Sequence, residues 1–504
     1  MAQLFTPYSS AKPYFEGPVP PGLPETDVDR LRSYLLYEEM YWNHPDTYRI
    51  TMRGDEENPI YIPPAKKIVE AVNRYLAVDW NYNIEGTGTA QTRMDVVLRA
   101  LFAREMVHTK FATQRRFGLI RGDAVWHITA DDRKPLGSRI SIHEVHPGQY
   151  FPIMDPDEPD RLLGVYLVDQ VKDPRFPDTD KVCDRRQAYR KAEDGTITTE
   201  LILFEPGKWD DRPEVSVLKD GKATVIKVLR DEESLPPEIT AIPVYHVRNT
   251  HDSAWPFGSS TLRGIETVIA GVQQGTTDQA LAVALGGLGV FWTDAGPPRD
   301  SQGNVMPWQM GPGQMTEVPQ GSTMGRVGEL SSVSPSLDHI NFLIDEAQSG
   351  AGVPDLAVGR VDVAVAESGI SLTLQMSPLI AGNAEKESAI LGVTDQFLYD
   401  LTHMWFPAYE ELSEPTVEVT SVVGDPLPKN RTDQVTEIVT LYQANLITTD
   451  MAIEQLGELG YRFPAGAAAK LLEQAAATAV NSDPFAARSE SELSNANGNS
   501  NNNQ

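Results

Sequence analysis

The sequence predicts an α+β chain, and three shifts in its patterning predict it. Apolar residues recur at helical spacing through the first quarter, the period changes to two from about residue 117, and helical spacing returns after about residue 258. Helices followed by a run of antiparallel strands exclude an alternating βαβ order. At 504 residues the chain can hold roughly three domains of about 150 residues.

Leu31, Leu35, Glu38 and Trp42, with Tyr34 and Tyr41, mark the first helix. Pro63-Pro64 opens a second, carrying Ile68, Val69, Val72, Tyr75 and Leu76, because proline at the first helical position sacrifices no hydrogen bond. A third is expected over 90–114, with Met94, Val97, Leu98, Leu101 and Phe102 on one face. Short strands are expected at 117–120, 124–128, 140–145, 150–154 and 162–168. Strands 186–191 and 196–204 flank Glu193-Asp194-Gly195, a turn in which glycine accepts positive φ. A strand at 242–247 closes the block.

Ser259 or Ser260 can cap a helix reaching residue 285, about 40 Å long. Gly264, Gly271 and Gly275 lie near one face of it and each costs about 1 kcal/mol relative to alanine. They mean either local fraying or the close approach of a neighbouring helix. The apolar run 280–292 is shorter than the ~20 residues a bilayer needs and reads as a helix end running into a strand. Residues 296–328 are rich in Gly, Pro and Gln and promise little helix. Helix resumes at 335–348, breaks at Gly350-Ala351-Gly352-Val353-Pro354, and returns from 367 to 405 with Pro378 inside it, where a kink or break is expected. Three short helices are expected at 433–444, 450–456 and 465–480. The Ser- and Asn-rich end, 481–504, has too little apolar surface to offset its ordering entropy.

Charge and motif searches remove several functions. With 43 Lys+Arg against 71 Asp+Glu, a net −28, tight wrapping of nucleic acid is excluded. One cysteine, Cys183, rules out an intrachain disulfide framework and fits a reducing compartment. The N-terminus has no basic stretch before an apolar core, so no secretory signal is expected, and the chain is expected to be soluble. Gly207-Lys208 and Gly221-Lys222 lack the rest of a phosphate-binding loop, and Gly86-Thr87-Gly88-Thr89-Ala90-Gln91 has Gln where a dinucleotide fingerprint needs its third glycine. His143 and His146 are three apart, against the four a helical zinc pair requires, and strand alternation places them on opposite faces. Arg121-Gly122-Asp123 reads as a hairpin turn, and Asp131-Asp132 and Asp155-Pro156-Asp157-Glu158 as solvated turns. No metal, cofactor or catalytic residue is expected.

The succession of segments is more telling than any one motif. Pro147-Gly148-Gln149-Tyr150-Phe151-Pro152-Ile153-Met154-Asp155 follows the Tyr-rich helices. Then come Ile242-Pro243-Val244-Tyr245-His246-Val247-Arg248-Asn249 and Pro256-Phe257-Gly258-Ser259-Ser260-Thr261-Leu262-Arg263-Gly264-Ile265. Glu367-Ser368-Gly369-Ile370-Ser371-Leu372 precedes Met376-Ser377-Pro378-Leu379. Over about 25–480 this order resembles the portal proteins of tailed double-stranded DNA bacteriophages.

That resemblance implies a homo-oligomeric ring, usually a dodecamer, at one capsid vertex, with double-stranded DNA passing through its central channel. It implies partners in turn: the terminase large subunit during packaging, a head-completion or adaptor protein afterwards, and the major capsid and scaffold proteins around the ring. No membrane partner is implied; the location would be the virion's portal vertex, after assembly in the host cytoplasm. Mapped segment by segment, 1–24 would be an N-terminal arm, 25–255 the wing, 256–288 the first stem helix, 289–330 the clip and 331–350 the second stem helix. The tunnel loop would be 351–366, the long kinked wing helix 367–408, the linker and crown 409–480, and the disordered tail 481–504. The resemblance gives Gly264, Gly271 and Gly275 a use in packing between subunits, and makes Pro378 the kink.

Asp355, Arg360, Asp362 and Glu367 would then face the DNA. A basic lining would trap phosphates spaced about 1.7 Å apart, whereas acidic walls let them slide. Arg360 would give either a weak, cycling phosphate contact or an ion pair with a neighbouring carboxylate. Two alternatives stand beside the portal: an acidic, carbohydrate-active hydrolase using a carboxylate pair with some of the 8 Trp as sugar platforms, and another head–tail connector ring.

Overall fold

The computed structural model describes residues 25–48, 50–51, 59–86, 88–158, 161–212, 223–251, 255–288, 290–299, 302–306, 320–327, 334–360, 369–426, 431–444, 446–459 and 461. The chain divides into two compact units, Met1–Pro426 and Leu427–Gln504. Helix and sheet are both present, in the segregated order expected.

The first unit opens with α1 (Glu25–Trp42), α2 (Pro64–Arg74), β1 (Asn81–Glu85), α3 (Gly88–Glu105) and α4 (Val107–Arg121). The single helix expected over 90–114 is two helices, because Met106 takes a left-handed conformation (φ 52°) between them. The strand expected at 117–120 is the last turn of α4. Phe117, Leu119 and Ile120 are buried as a continuous apolar run, which carries no period to distinguish strand from helix. Gly122 (φ 100°) ends α4 with its N–H donating to Gly118 O at 2.7 Å. Arg121-Gly122-Asp123 is therefore a helix-to-strand junction, and not a hairpin turn.

Strands β2 (Asp123–Ala130), β3 (Ile140–Val145), β4 (Tyr150–Met154), β5 (Leu162–Lys172), β6 (Val182–Lys191), β7 (Ile197–Phe204), β8 (Val225–Ser234) and β9 (Val244–Arg248) follow. They form a three-stranded sheet, β3-β2-β9, and a five-stranded meander, β4-β5-β6-β7-β8, antiparallel throughout. The β6–β7 turn is as expected: Gly195 has φ 87° and donates to Ala192 O. Leu31 and Tyr34 of α1 pack against Phe151, Tyr166, Val168, Phe204 and Trp209, forming the core over the meander. Burial of each such side chain is worth ~1.5–3 kcal/mol.

Next come α5 (Glu266–Leu288), β10 (Val290–Thr293), β11 (Met324–Val327), α6 (Ser334–Gly350), α7 (Gly369–Asp400) and β12 (Glu418–Val422), which pairs with β1. A helix end running into a strand is what 280–292 forms. Helix α7 continues through Leu401–Glu410 as a π-helix. It is fixed to the β-block by a ring ladder in which Trp80, Phe111, Trp126 and Phe397 follow one another at centroid spacings of 4.2, 6.5 and 6.0 Å.

The second unit contributes α8 (Arg431–Gln443) and α9 (Thr449–Glu458), the latter capped by Thr448, whose hydroxyl accepts from Met451 N. The arm 1–24, the helix expected at 465–480 and the tail 481–504 lie outside the described residues. No described helix is long and apolar enough to cross a membrane.

Candidate functional site

Two glycines make the joint from which the helical pair α5–α6 emerges. A Cβ on Gly258 would sit 2.1 Å from Gly122 O, so the two backbones meet where no other residue fits. Buried Asp123 binds the joint together: its carboxylate accepts from Gly258 N at 2.7 Å and from Tyr34 OH, and pairs with His246 Nε2 at 2.6 Å. Asn249 donates from its backbone to Gly122 O and from its side chain to Ser259 O. Arg30 lies 4.2 Å from the Phe257 ring and donates to Pro147 O. The three sequence stretches around Pro147, His246 and Phe257 thus converge on one place.

Helix α5 starts at Glu266, later than expected. Ser260 Oγ accepts from Leu262 N in a local turn and Gly264 takes φ 91°, so neither serine caps the helix and Gly264 lies outside it. Glu266 instead closes the entry, accepting from Gly264 N at 2.8 Å and from Tyr37 OH at 2.7 Å. Its charge at the helix start complements the macrodipole. Gly271 and Gly275 face α6 of the same chain. A Cβ on Gly275 would come within 3.1 Å of Ile340, one on Gly271 within 3.4 Å of Leu343, and one on Gly350 within 2.8 Å of Ile265. Those three pairings run in opposite sequence directions, so α5 and α6 are antiparallel.

A row of side chains on α5 holds the backbone at Thr51, Ile60 and Ile62. The Gln274 amide accepts from Thr51 N and donates to Thr51 O, at 2.8 and 3.0 Å. Gln273 does the same for Ile62, and Thr277 for Ile60. The helix face thereby supplies to alternate residues, 60 and 62, the pairing a neighbouring strand would supply.

At the far end, β10 and β11 pair antiparallel. The Asp294 carboxylate accepts from Thr323 N and Oγ1 at 2.6 and 3.0 Å, joining the two chains where they leave the paired strands. Trp292 is half exposed there.

After α6, Gly352 (φ 68°) turns the chain, Asp355–Val358 forms one 3-10 turn, and Gly359 (φ 86°) turns it again. Arg360 Nη1 lies 2.7 Å from Asp345 Oδ1 and 3.7 Å from Asp355 Oδ1. Of the two readings of Arg360, the structure holds the ion pair. Asp362 and Glu367 lie outside the described residues. Pro378 sits inside α7, and the Ser377 hydroxyl donates at 2.8 Å to Leu374 O, the carbonyl that proline's missing N–H leaves without its helical donor.

Buried charges in the β-block are matched. Glu38 binds Arg121 and lies 3.1 Å from His146 Nε2; Asp27 joins Arg30 and Arg212. Burial pushes His146 down to about 4, and Arg121 adds to it. His143 bonds Thr129 Oγ1 at 2.8 Å, well apart from the partners of His146. Burial pushes Glu144 up to about 7; its Oε1 is buried without a hydrogen bond. Asp131 and Asp155 accept from backbone N–H groups two residues on, as turn residues do. Among the described residues, no three His, Cys, Asp or Glu side chains are grouped to hold a metal ion.

No protein-family model matches the chain, and no curated protein does. Among solved structures it is similar to a chain in the neck of an empty gene transfer agent particle computed with C6 symmetry. That likeness has 11% identity, covers 89% of this chain and 96% of that one, and has a TM-score of 0.44. It is also similar to a chain in the virion of a native gene transfer agent particle, at 12% identity, 89% and 93% coverage and a TM-score of 0.40. Neither score reaches the level of a shared fold.

Proposed function

We propose that this chain is a structural subunit of a tailed-phage-like particle, and specifically the portal. As such it forms the ring, usually dodecameric, at one capsid vertex. Double-stranded DNA is packaged and ejected through that ring, to which a terminase motor docks first and head-completion proteins later. One observation carries the reading: an antiparallel helix pair, α5–α6, tipped by the paired strands β10 and β11, emerges from a glycine joint in an α+β block and is followed in the chain by a glycine-bounded 3-10 turn and the long helix α7. We read these parts as the stem, clip, tunnel loop and wing helix of a portal subunit, with Pro378 as the candidate wing-helix kink. Gly271 and Gly275 serve the pairing of the two stem helices within one subunit. The surplus of 28 negative charges suits a wall that lets phosphates pass. Particles assembled without this chain should contain no DNA; DNA-filled particles lacking it contradict the proposal.

A further inference from the structure

Four elements, α4, β2, β9 and α7, meet at a solvent-open crevice of about 390 Å³. Most of its lining is apolar, with Phe111, Trp126, Val247 and Ile390, and two cations, Arg115 and Lys386, stand among them. No Asp or Glu lines it. These cations are placed unlike the buried ones of the β-block, where Arg30, Arg121, Arg186 and Arg212 each pair with a carboxylate. Arg115 donates from Nε to Asn73 Oδ1 at 3.0 Å and from Nη1 to Ala77 O at 2.6 Å, both neutral acceptors, and its Nη2 is left over. Lys386 Nζ donates to Gly382 O of its own helix at 3.2 Å and enters no ion pair among the described residues. Both side chains are half-buried. Burial holds the Lys386 ammonium below the usual lysine range, the mark of a charge short of solvent. Two positive charges partly out of water with no counter-charge are costly, and an incoming anion would relieve both.

The lining decides which anion. A phosphate would give up hydration against Phe111, Trp126, Val247 and Ile390 and gain nothing from them, whereas an aryl or alkyl group removes their surface from water. We infer that the crevice is a binding site for a small organic carboxylate, whose acid group meets Arg115 and Lys386 and whose aryl or alkyl body covers the apolar lining. The site does not depend on the portal reading. Lys386 and Ile390 come from α7 and the rest of the lining from α4, β2 and β9, so a bound acid ties the long helix to the elements beneath it.

The test is titration of the full chain with phenylacetate, its neutral analogue phenylacetamide, acetate and inorganic phosphate, followed by saturation-transfer NMR of each ligand. Phenylacetate should bind about tenfold more tightly than the other three, because it alone offers both a charge and an apolar body. Lys386→Gln should remove the preference for acid over amide while leaving phenylacetamide binding unchanged, and Lys386→Arg should restore it. Phenylacetate should also raise the melting temperature of the wild type and not that of Lys386→Gln. Acid and amide bound alike by the wild type, or no saturable binding of the acid, overturns the site whatever the variants do. A preference for the acid that survives Lys386→Gln overturns its location. Inorganic phosphate bound as tightly as phenylacetate overturns the organic class of ligand.

Discussion

Asp123, Gly122 and Gly258 show how much a few atoms decide. A methyl group on Gly258 would meet a backbone oxygen that cannot move without dislodging Asn249 and Asp123 together. Gly258→Ala should therefore cost more than about 3 kcal/mol, measured by urea unfolding. An unchanged midpoint would show that the joint gives way easily. Two residues further along the same block oppose each other in pH. His146, held near 4 by burial, binds fewer protons folded than unfolded, so its contribution is present above about 6.5 and is lost as pH falls towards 4. Glu144, raised to about 7, binds more protons folded, so its contribution is present below about 4.5 and is lost as pH rises through 7. In wild type the two largely cancel between pH 5 and 7. Glu144→Gln removes one arm: the variant should gain about 1 kcal/mol at pH 8, allowing for the partial exposure of Glu144, and lose about 2 kcal/mol on going from pH 7 to 5. Unfolding curves of the two proteins that stay parallel over that range would contradict this. None of these pairings was legible in sequence, because Glu38, Arg121 and His146 come together only through the fold.

Among the elements, short apolar runs bounded by turn residues were read as strands with mixed success. The strands expected at 124–128, 140–145, 150–154 and 162–168 are present within β2, β3, β4 and β5. The run Phe117-Gly118-Leu119-Ile120, expected as a strand, is buried throughout as the last turn of α4, because a continuous apolar run has no period to separate the two. The start of α5 was misplaced for a different reason. Ser259 and Ser260 have the chemistry of caps but serve the glycine joint instead, as Ser259 O and Ser260 Oγ show. For the glycines the sequence left fraying and a close helix approach both open; Gly271 and Gly275 meet α6 of the same chain, while Gly264 lies outside the helix. Least legible was the row Gln273, Gln274 and Thr277, since polar residues on a helix read as a solvent face. Gln273→Ala leaves both backbone groups of Ile62 without their partner and should cost about 1–3 kcal/mol. Amide exchange at Ile60 and Ile62 should quicken while that at Ile128 and Val168 in the β-block stays slow. Protection unchanged at 60 and 62 would mean the row does not hold the segment. In α7, Ser377→Ala should cost about 0.5–1.5 kcal/mol by removing the hydroxyl donor at Leu374 O, which Pro378 cannot replace. Melting indistinguishable from wild type would show that water replaces it.

For the whole molecule, the order of parts was the informative signal, more than any motif within it. The β-block, the glycine joint, the antiparallel pair α5–α6, the double glycine turn and the long helix α7 succeed one another along the chain. The tip was not foreseeable in detail, because Gly- and Pro-rich sequence conceals a four-residue pairing of β10 with β11. On the portal proposal, a net charge of −28 suits a ring that surrounds DNA without binding it tightly. Electron-microscopy class averages of the purified full chain test this most directly. The account predicts rings with a central hole and a mass of about twelve 55.6 kDa chains; a compact monomer that forms no rings would contradict it.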